Sequence, residues 1–284
     1  MTTSYWLRTA TNFLQSKGMT TARLDALVLL EDVMQINRAQ LLAEPDMEMR
    51  DGVVHHLQEL LGRRGRHEPL SYIRGRSEFY GRNFVIKPGV LTPRPESETM
   101  IDLLKGLYPD RFTKNVSDFS GTNQPNKLWI ADVGAGSGAL GITAVLELQN
   151  ASCDLLELDP AALKIAEMNV DLLTSHAYAR QSDLLSGAGH DYEVLLCNLP
   201  YVPDGYQINK AAGFEPPIAL FGGEDGLDLF RKLFAQVAKA QNKPLYIMSE
   251  ALPQSHGALL GLAAAAGYRE RQKQDFIQVF ERAT

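Results

Sequence analysis

Apolar residues recur at helical spacing through the N-terminal quarter of the chain. Tyr5, Leu7, Phe13 and Leu14 form one amphipathic segment that stops near Gly18. Leu24, Leu27, Val28, Leu30 and Val33 form a second, with Thr20 or Thr21 as its cap. A short third segment covers Arg38 to Leu42, and a fourth runs from Met47 to Leu61. The pattern predicts a small helical bundle as a separate N-terminal domain. From Ser71 to Val90 the apolar positions alternate around Gly75 and Gly81, which predicts a β-hairpin. In L-T-P-R-P-E-S-E, residues 91–98, Pro93 and Pro95 forbid regular helix at Arg94, and a helix begins near Glu96. Residues 108–127 are polar and read as a surface loop.

From Lys127 onward the period switches back and forth. Leu128 to Val133 reads as a strand and Gly138 to Leu148 as a helix. Cys153 to Leu158, Ala177 to Arg180, Val194 to Cys197 and Leu245 to Met248 are further strands. Ala161 to Leu173, Leu227 to Ala238 and Gln254 to Ala266 are the helices between and after them. Tyr268 to Gln272 and Phe276 to Glu281 read as a closing antiparallel hairpin. Alternating strands and helices predict a doubly wound α/β sheet.

Composition narrows the class. The chain has 284 residues, 45% hydrophobic and 22% charged, which is ordinary for a globular protein. A net charge of −6 argues against broad binding to a nucleic-acid backbone, so no direct nucleic-acid partner is expected. Two cysteines, Cys153 and Cys197, lie in apolar runs and read as reduced thiols of an intracellular, cytoplasmic protein. No secretory h-region is visible and no membrane partner is expected. The longest apolar stretch, Ala251 to Gly267, is interrupted by Pro253, Gln254, Ser255 and His256. The six histidines show no metal-ligand spacing. Arg63, Arg64, Arg66, Arg74 and Arg76 cluster, either as a solvated charge run or as a docking surface for an acidic or RNA-associated partner.

Chemistry concentrates at V-L-L-C-N-L-P-Y-V-P, residues 194–203. A buried strand there ends in Asn198, Leu199, Pro200 and Tyr201. Asn198 carries an acceptor and a donor together. Pro200 pushes Leu199 out of helical geometry, which frees its carbonyl. Two acceptors beside the Tyr201 ring suit a planar NH2 group. A strand end with a proline turn would look the same.

A second cluster follows the first strand of the α/β region. In D-V-G-A-G-S-G-A the residues Asp132, Gly134, Ala135, Gly136, Ser137 and Gly138 lead into a helix N-terminus. Such a turn lets the backbone approach a ligand closely. It also satisfies the dinucleotide pattern, so glycine content leaves S-adenosylmethionine and a nicotinamide cofactor both open. Glu157 ends the next strand and offers two oxygens to ribose hydroxyls. Asp159 competes for that role, although Pro160 marks it as a helix cap. Asp183 follows the third strand, where an adenine amine could be read, with Leu184 packing on the ring. Asn198, on the fourth strand, faces cofactor and substrate together.

Taken in order, these segments resemble the HemK-type release-factor glutamine N5-methyltransferases. The resemblance rests on E-P-L-S-Y-I-R-G (68–75), L-T-P-R-P-E-S-E (91–98), D-V-G-A-G-S-G (132–138), N-L-P-Y (198–201) and F-E-P-P-I-A-L-F-G-G-E-D-G-L (214–227). It implies a seven-stranded, Rossmann-like class I methyltransferase sheet over 93–284. It also implies a substrate-recognition bundle over 1–72 and a hairpin connector over 73–92. The implied reaction is methylation of the glutamine in the Gly-Gly-Gln motif of peptide-chain release factors, with S-adenosyl-L-methionine as donor; a monomer is expected. Asn198, Leu199, Pro200 and Tyr201 would be the catalytic segment, with Glu215 and Arg94 nearby. The family motif is N-P-P-Y. Leu199 keeps the backbone carbonyl of the first proline but not its fixed φ. A ribosomal-protein glutamine, an adenine N6 of DNA or a noncatalytic adaptor role are the alternatives.

Overall fold

The computed structural model describes residues 1–111, 127–173 and 176–283. Most of the polar stretch expected as a loop, 112–126, lies outside the described residues. The chain forms two compact units: Met1–Arg76 with Ile208–Phe214, and Ser77–Gln207 with Glu215–Thr284.

The first unit is helical. It contains α1 (Thr3–Ser16), α2 (Ala22–Met34), α3 (Arg38–Ala43), α4 (Asp51–Gly65) and α5 (Leu70–Arg74). Thr2 caps α1 through its side chain, and Asn37 with Gln40 closes a capping box on α3. The buried stripe is Trp6, Ala10 and Leu14 on α1 against Ala22, Ala26, Leu29 and Leu30 on α2, with Leu57 from α4. Two residues of the expected stripe face outward instead: Tyr5 is 50% exposed and Leu24 48%. Alanines carry the close contact between these helices, and they stand out less in a pattern than leucine or tyrosine. The fourth helix begins at Asp51, later than Met47, because Thr2 and Glu48 first pair as extended backbone. Helix α5 replaces the expected start of the hairpin. Gly75 adopts φ +71° as its left-handed cap rather than turning a hairpin.

The arginine cluster is mostly internal bracing. Arg64 meets Asp25 at 2.7 Å, both side chains largely buried, and Arg63 pairs with Glu68. Arg74 and Arg76 both bind Asp32. These four guanidinium groups are thus engaged by carboxylates of the same unit.

The second unit holds two sheets. Strands β1 (Arg76–Phe79) and β2 (Arg82–Val85) form a two-stranded hairpin. It rests on α6 (Glu98–Leu107) and α7 (Ala139–Glu147) through Tyr80 with Asp102 and Arg82 with Glu147. The remaining strands are β3 (Leu128–Val133), β4 (Ala151–Glu157), β5 (Ala177–Gln181), β6 (Val194–Cys197), β7 (Tyr246–Glu250), β8 (Tyr268–Gln274) and β9 (Ile277–Arg282). They form one seven-stranded sheet in the order β5-β4-β3-β6-β7-β9-β8. The first five in that order are parallel, and β9 runs antiparallel to both β7 and β8. Helices α8 (Pro160–Leu173), α9 (Asp228–Lys239) and α10 (His256–Ala265) complete the layers.

Register decides where function sits. Val133 lies opposite Leu156 on one side and Cys197 on the other. Glu157 lies opposite Gln181, and Cys197 opposite Ser249. The parallel strands thus end at one level. The strand order reverses at β3: the chain runs outward through β4 and β5, then crosses back to β6 on the other side of β3. That is where an open α/β sheet forms its ligand crevice.

Helix α7 presses on the sheet at Gly141. A methyl there would stand 2.7 Å from Cys153 Sγ and 2.8 Å from Asp132 Cβ, and nearer still to Leu155. Gly141→Ala must therefore lift the helix, with a cost of about 1–3 kcal/mol from overpacking. Urea denaturation measures it; an unchanged midpoint would contradict the close packing.

Candidate active site

A cleft of about 740 Å³, counting the space open to solvent, lies at the ends of the parallel strands. Gly134 and Gly136 floor it after β3, and Glu157, Leu158 and Asp159 wall it after β4. Ser182, Asp183 and Leu184 follow β5, and Asn198, Leu199 and Pro200 follow β6. Gly89, Val90 and Leu91 close one side, and Pro216, Ile218 and Ala219 another. Four strand ends thus bring together most of the residues singled out in the sequence. Asp132, Ala135, Ser137, Gly138 and Tyr201 stand behind the walls instead.

The glycine-rich turn is shaped for close approach. Gly134 has φ +72°, and a Cβ there would come within 3.0 Å of Leu199 Cδ2. Leu199 is buried and packs on this turn, so its side chain joins the β3 and β6 ends. Glu157 holds the same turn from β4. Its Oε2 accepts the Gly136 N–H and its Oε1 the Asp159 N–H, both at 2.8 Å. Each oxygen keeps a lone pair for a hydroxyl. Asp159 caps α8 by accepting the Ala161 N–H at 2.7 Å. Asp183 Oδ2 is engaged by Lys232, which leaves Oδ1 for a ligand.

Under the turn, Asp132 is 2% exposed and accepts the Gly141 N–H at 2.8 Å. It orients the α7 N-terminus rather than facing the cavity. Asn169, fully buried on α8, does similar work unseen in the sequence. Its Nδ2 donates to Ser137 O at 2.9 Å and to Val85 O, while its Oδ1 accepts the Val85 N–H. A carboxamide in the middle of an amphipathic helix is the one signal that could have found it.

The N-L-P-Y segment is held from below and behind. Asn198 Nδ2 donates to Ser97 Oγ at 3.0 Å, and the Tyr201 hydroxyl donates to Glu250 Oε1 at 3.0 Å. Burial, together with the nearby Glu250 charge, keeps Tyr201 a neutral phenol. The loop 221–226 follows the backbone of this segment. Val202 N–H donates to Leu220 O, and Gly222 N–H to Val202 O, both at 2.9 Å. A Cβ on Gly222 or Gly226 would strike the carbonyls of Pro200 and Tyr201, which explains the glycines of F-G-G-E-D-G-L. Glu215 is buried, accepts the Thr92 N–H at 3.1 Å and pairs with Arg94. It joins the two loops that carry Leu91 and Pro216.

The cavity fits S-adenosylmethionine by its chemistry. A glycine cradle admits a close backbone approach, and Glu157 offers ribose acceptors. The carboxylates of Glu157, Asp159 and Asp183 suit a ligand bearing a sulfonium and an ammonium.

Comparison with known proteins agrees with this geometry. Residues 5–75 match the family model described as the PrmC N-terminal domain, and residues 118–213 the Methyltransferase small domain. A release factor glutamine methyltransferase of Koribacter versatilis is 33% identical over 243 residues, covering 84% of this chain and 81% of the relative. The chain belongs to the release factor glutamine methyltransferase family. A member from Coxiella burnetii is also 33% identical, covering 88% of this chain and 86% of its own. Among solved structures, the hMettl16 catalytic domain in complex with MAT2A 3′UTR hairpin 1 superposes with a TM-score of 0.55 at 12% identity, covering 91% of each chain. The T. thermophilus 16S rRNA N2 methyltransferase RsmC, in complex with AdoMet and guanosine, gives 0.51 at 15% identity, covering 74% of this chain and 50% of that one. At such identities the likeness is one of fold, and the fold is that of the class I S-adenosylmethionine-dependent methyltransferases. Among the described residues no helix is long and apolar enough to cross a membrane.

Asp132 makes the site sensitive to pH. Burial pushes its carboxyl up to about 7, against the Gly141 N–H and with a further push from Glu157. In the unfolded chain it ionises near about 3.9. Between those values the folded state keeps a proton that the unfolded state releases, so stability falls as pH rises from about 4 to about 7, then levels. Asp132→Asn keeps the acceptor for Gly141 and removes the titration. Its stability should gain on the parent by on the order of 4 kcal/mol across that window. Urea denaturation at a series of pH values measures the gap; a constant gap would contradict the assignment.

Proposed function

We propose that this chain transfers the methyl group of S-adenosyl-L-methionine to the side-chain amide nitrogen of glutamine in the Gly-Gly-Gln motif of peptide-chain release factors. Family membership supports the substrate. The observation that carries the chemistry is the shared cavity: Asn198, Leu199 and Pro200 face the space walled by Gly134, Gly136 and Glu157.

An amide nitrogen is a weak nucleophile because its lone pair is delocalised into the carbonyl. A sulfonium methyl is already a good electrophile. The protein's contribution is therefore placement, worth on the order of 7–11 kcal/mol in well-oriented reactions. Asn198 Oδ1 and the Leu199 carbonyl would each accept one N–H of the substrate amide. Two acceptors hold the nitrogen in line with the methyl group and favour the positive charge that grows on it. The N-methyl product loses its extra proton readily, so no strong base is required. Gly134, Gly136, Glu157, Asp183 and Leu184 would hold the donor. Asp132, Ala135, Ser137 and Gly138 would shape the turn that receives it. Tyr201 stands behind the acceptors, with its hydroxyl on Glu250.

Leu199 retains the one feature this mechanism needs from its position, a backbone carbonyl. Its buried side chain against Gly134 supplies restraint in place of a proline ring.

Asn198→Ala should lower the methyl-transfer rate on a release factor about 100- to 1,000-fold, the usual cost of one preorganised polar contact. Cofactor affinity by calorimetry should change far less. Initial rates with labelled donor test this; a variant at the parent rate would remove Asn198 from the mechanism.

A further inference from the structure

Beneath the acceptor segment lies a buried carboxylate that the methyl transfer does not use. Glu250 ends β7, one residue beyond the register partner of Cys197, and is fully buried. Ser97, Tyr201 and Asn198 are the polar side chains facing its carboxyl, with Glu96 also near. The Tyr201 hydroxyl reaches Oε1 at 3.0 Å. Oε2 meets no donor at strict hydrogen-bond geometry among the described residues, yet Ser97 and Asn198 stand close enough to stabilise its charge. A buried carboxylate needs such donors, and their arrangement has a consequence for Asn198.

The consequence is one of direction. A carboxylate only accepts, whereas a serine hydroxyl both donates and accepts. A carboxamide presents an acceptor on one side and a donor on the other. The two sides have nearly the same shape, so sterics alone do not choose between them. Asn198 works as an acceptor only if its oxygen faces the cavity and its nitrogen faces inward. The observed bond from Nδ2 to Ser97 Oγ has this sense.

We propose that Glu250 is a positioning residue. It accepts the hydroxyl protons of Tyr201 at Oε1 and of Ser97 at Oε2, so that Ser97 Oγ can only accept from Asn198 Nδ2 and the Asn198 oxygen is turned to the substrate. The inference rests on Asn198 as the acceptor of the substrate amide, and adds what fixes its orientation. Burial pushes the Glu250 carboxyl above its usual range, while Ser97, Tyr201 and Asn198 pull it back toward the charged form. Replacing the carboxylate by an amide of the same shape introduces a donor where the chain of hydrogen bonds needs an acceptor. Ser97 could then donate to Asn198 Oδ1, and the carboxamide would present its nitrogen to the substrate.

The test combines kinetics with a readout that needs no turnover. Glu250→Gln and Ser97→Ala should each lower kcat about 10- to 100-fold, as expected when a reacting group is misplaced without being removed. KM for the release factor and the cofactor Kd should stay within about two-fold, which separates orientation from general damage. Ser97→Thr, which keeps the hydroxyl, should restore most of the rate. In 15N-labelled protein the Asn198 side-chain amide should exchange slowly with solvent, and faster in Ser97→Ala and Glu250→Gln. Parent kcat in Glu250→Gln, or an Asn198 amide that exchanges freely in the parent, would overturn the proposal. A parent that leaves release factors unmethylated, yet shows the protected amide and its loss in both variants, would support the network and count against the substrate assignment.

Discussion

Val133, Glu157, Gln181 and Cys197 stand at the ends of neighbouring parallel strands, and the register brings those ends to one level. Everything chemical in the molecule depends on that alignment. The residue or two after each strand leave the ladder at the same height, so their side chains and backbone groups converge. One strand end contributes a glycine turn, the next a carboxylate, the third a second carboxylate with a leucine, and the fourth a carboxamide. Because the order of strands reverses at β3, the space above it is not filled by a crossing helix. A slip of one residue in any of these strands would turn its side chains to the opposite face and scatter the set.

The site is kept in place by groups that do not touch a ligand. Asp132 holds the start of α7, Asn169 ties the hairpin to the turn, Glu215 joins two loops, and Glu250 stands under the acceptor segment. Each is buried and polar. Burial of this kind is expensive unless hydrogen bonds satisfy it, so such residues fix one arrangement rather than adding general stability. The same logic explains the glycines at 222 and 226. They let one loop lie directly on the carbonyls of another, where any side chain would force the two apart.

Much of this was legible in the sequence. The strands β3, β4 and β6 announce themselves as largely apolar runs leading into Gly134, Glu157 and Asn198, and the motif residues then fall on their carboxyl ends. The helix between Gly75 and Pro69 was not legible. Five residues are too few to show a period, and Gly75 serves equally as a helix cap or a hairpin turn. The facing surface of α1 and α2 is hidden in the pattern for a related reason: it is built partly from alanines, while Tyr5 and Leu24 stay exposed. The supporting groups were the hardest to see. Glu250 and Asn169 are single polar residues within apolar elements, and only the fold shows what lies beside them. The arginines from 63 to 76 read as a solvated charge run or a docking surface because Asp25 and Asp32, which pair with Arg64, Arg74 and Arg76, are distant in the chain.

The central claim is that this site methylates a glutamine side chain presented by a release factor. Fragment mass spectrometry of a purified release factor, incubated with the protein and S-adenosyl-L-methionine, tests it most directly. The account predicts one methyl in place of one hydrogen, on the glutamine of Gly-Gly-Gln and on no other residue of that peptide. An unmodified glutamine in the presence of bound cofactor, with methyl instead on a ribosomal protein or on DNA in parallel incubations, would contradict it.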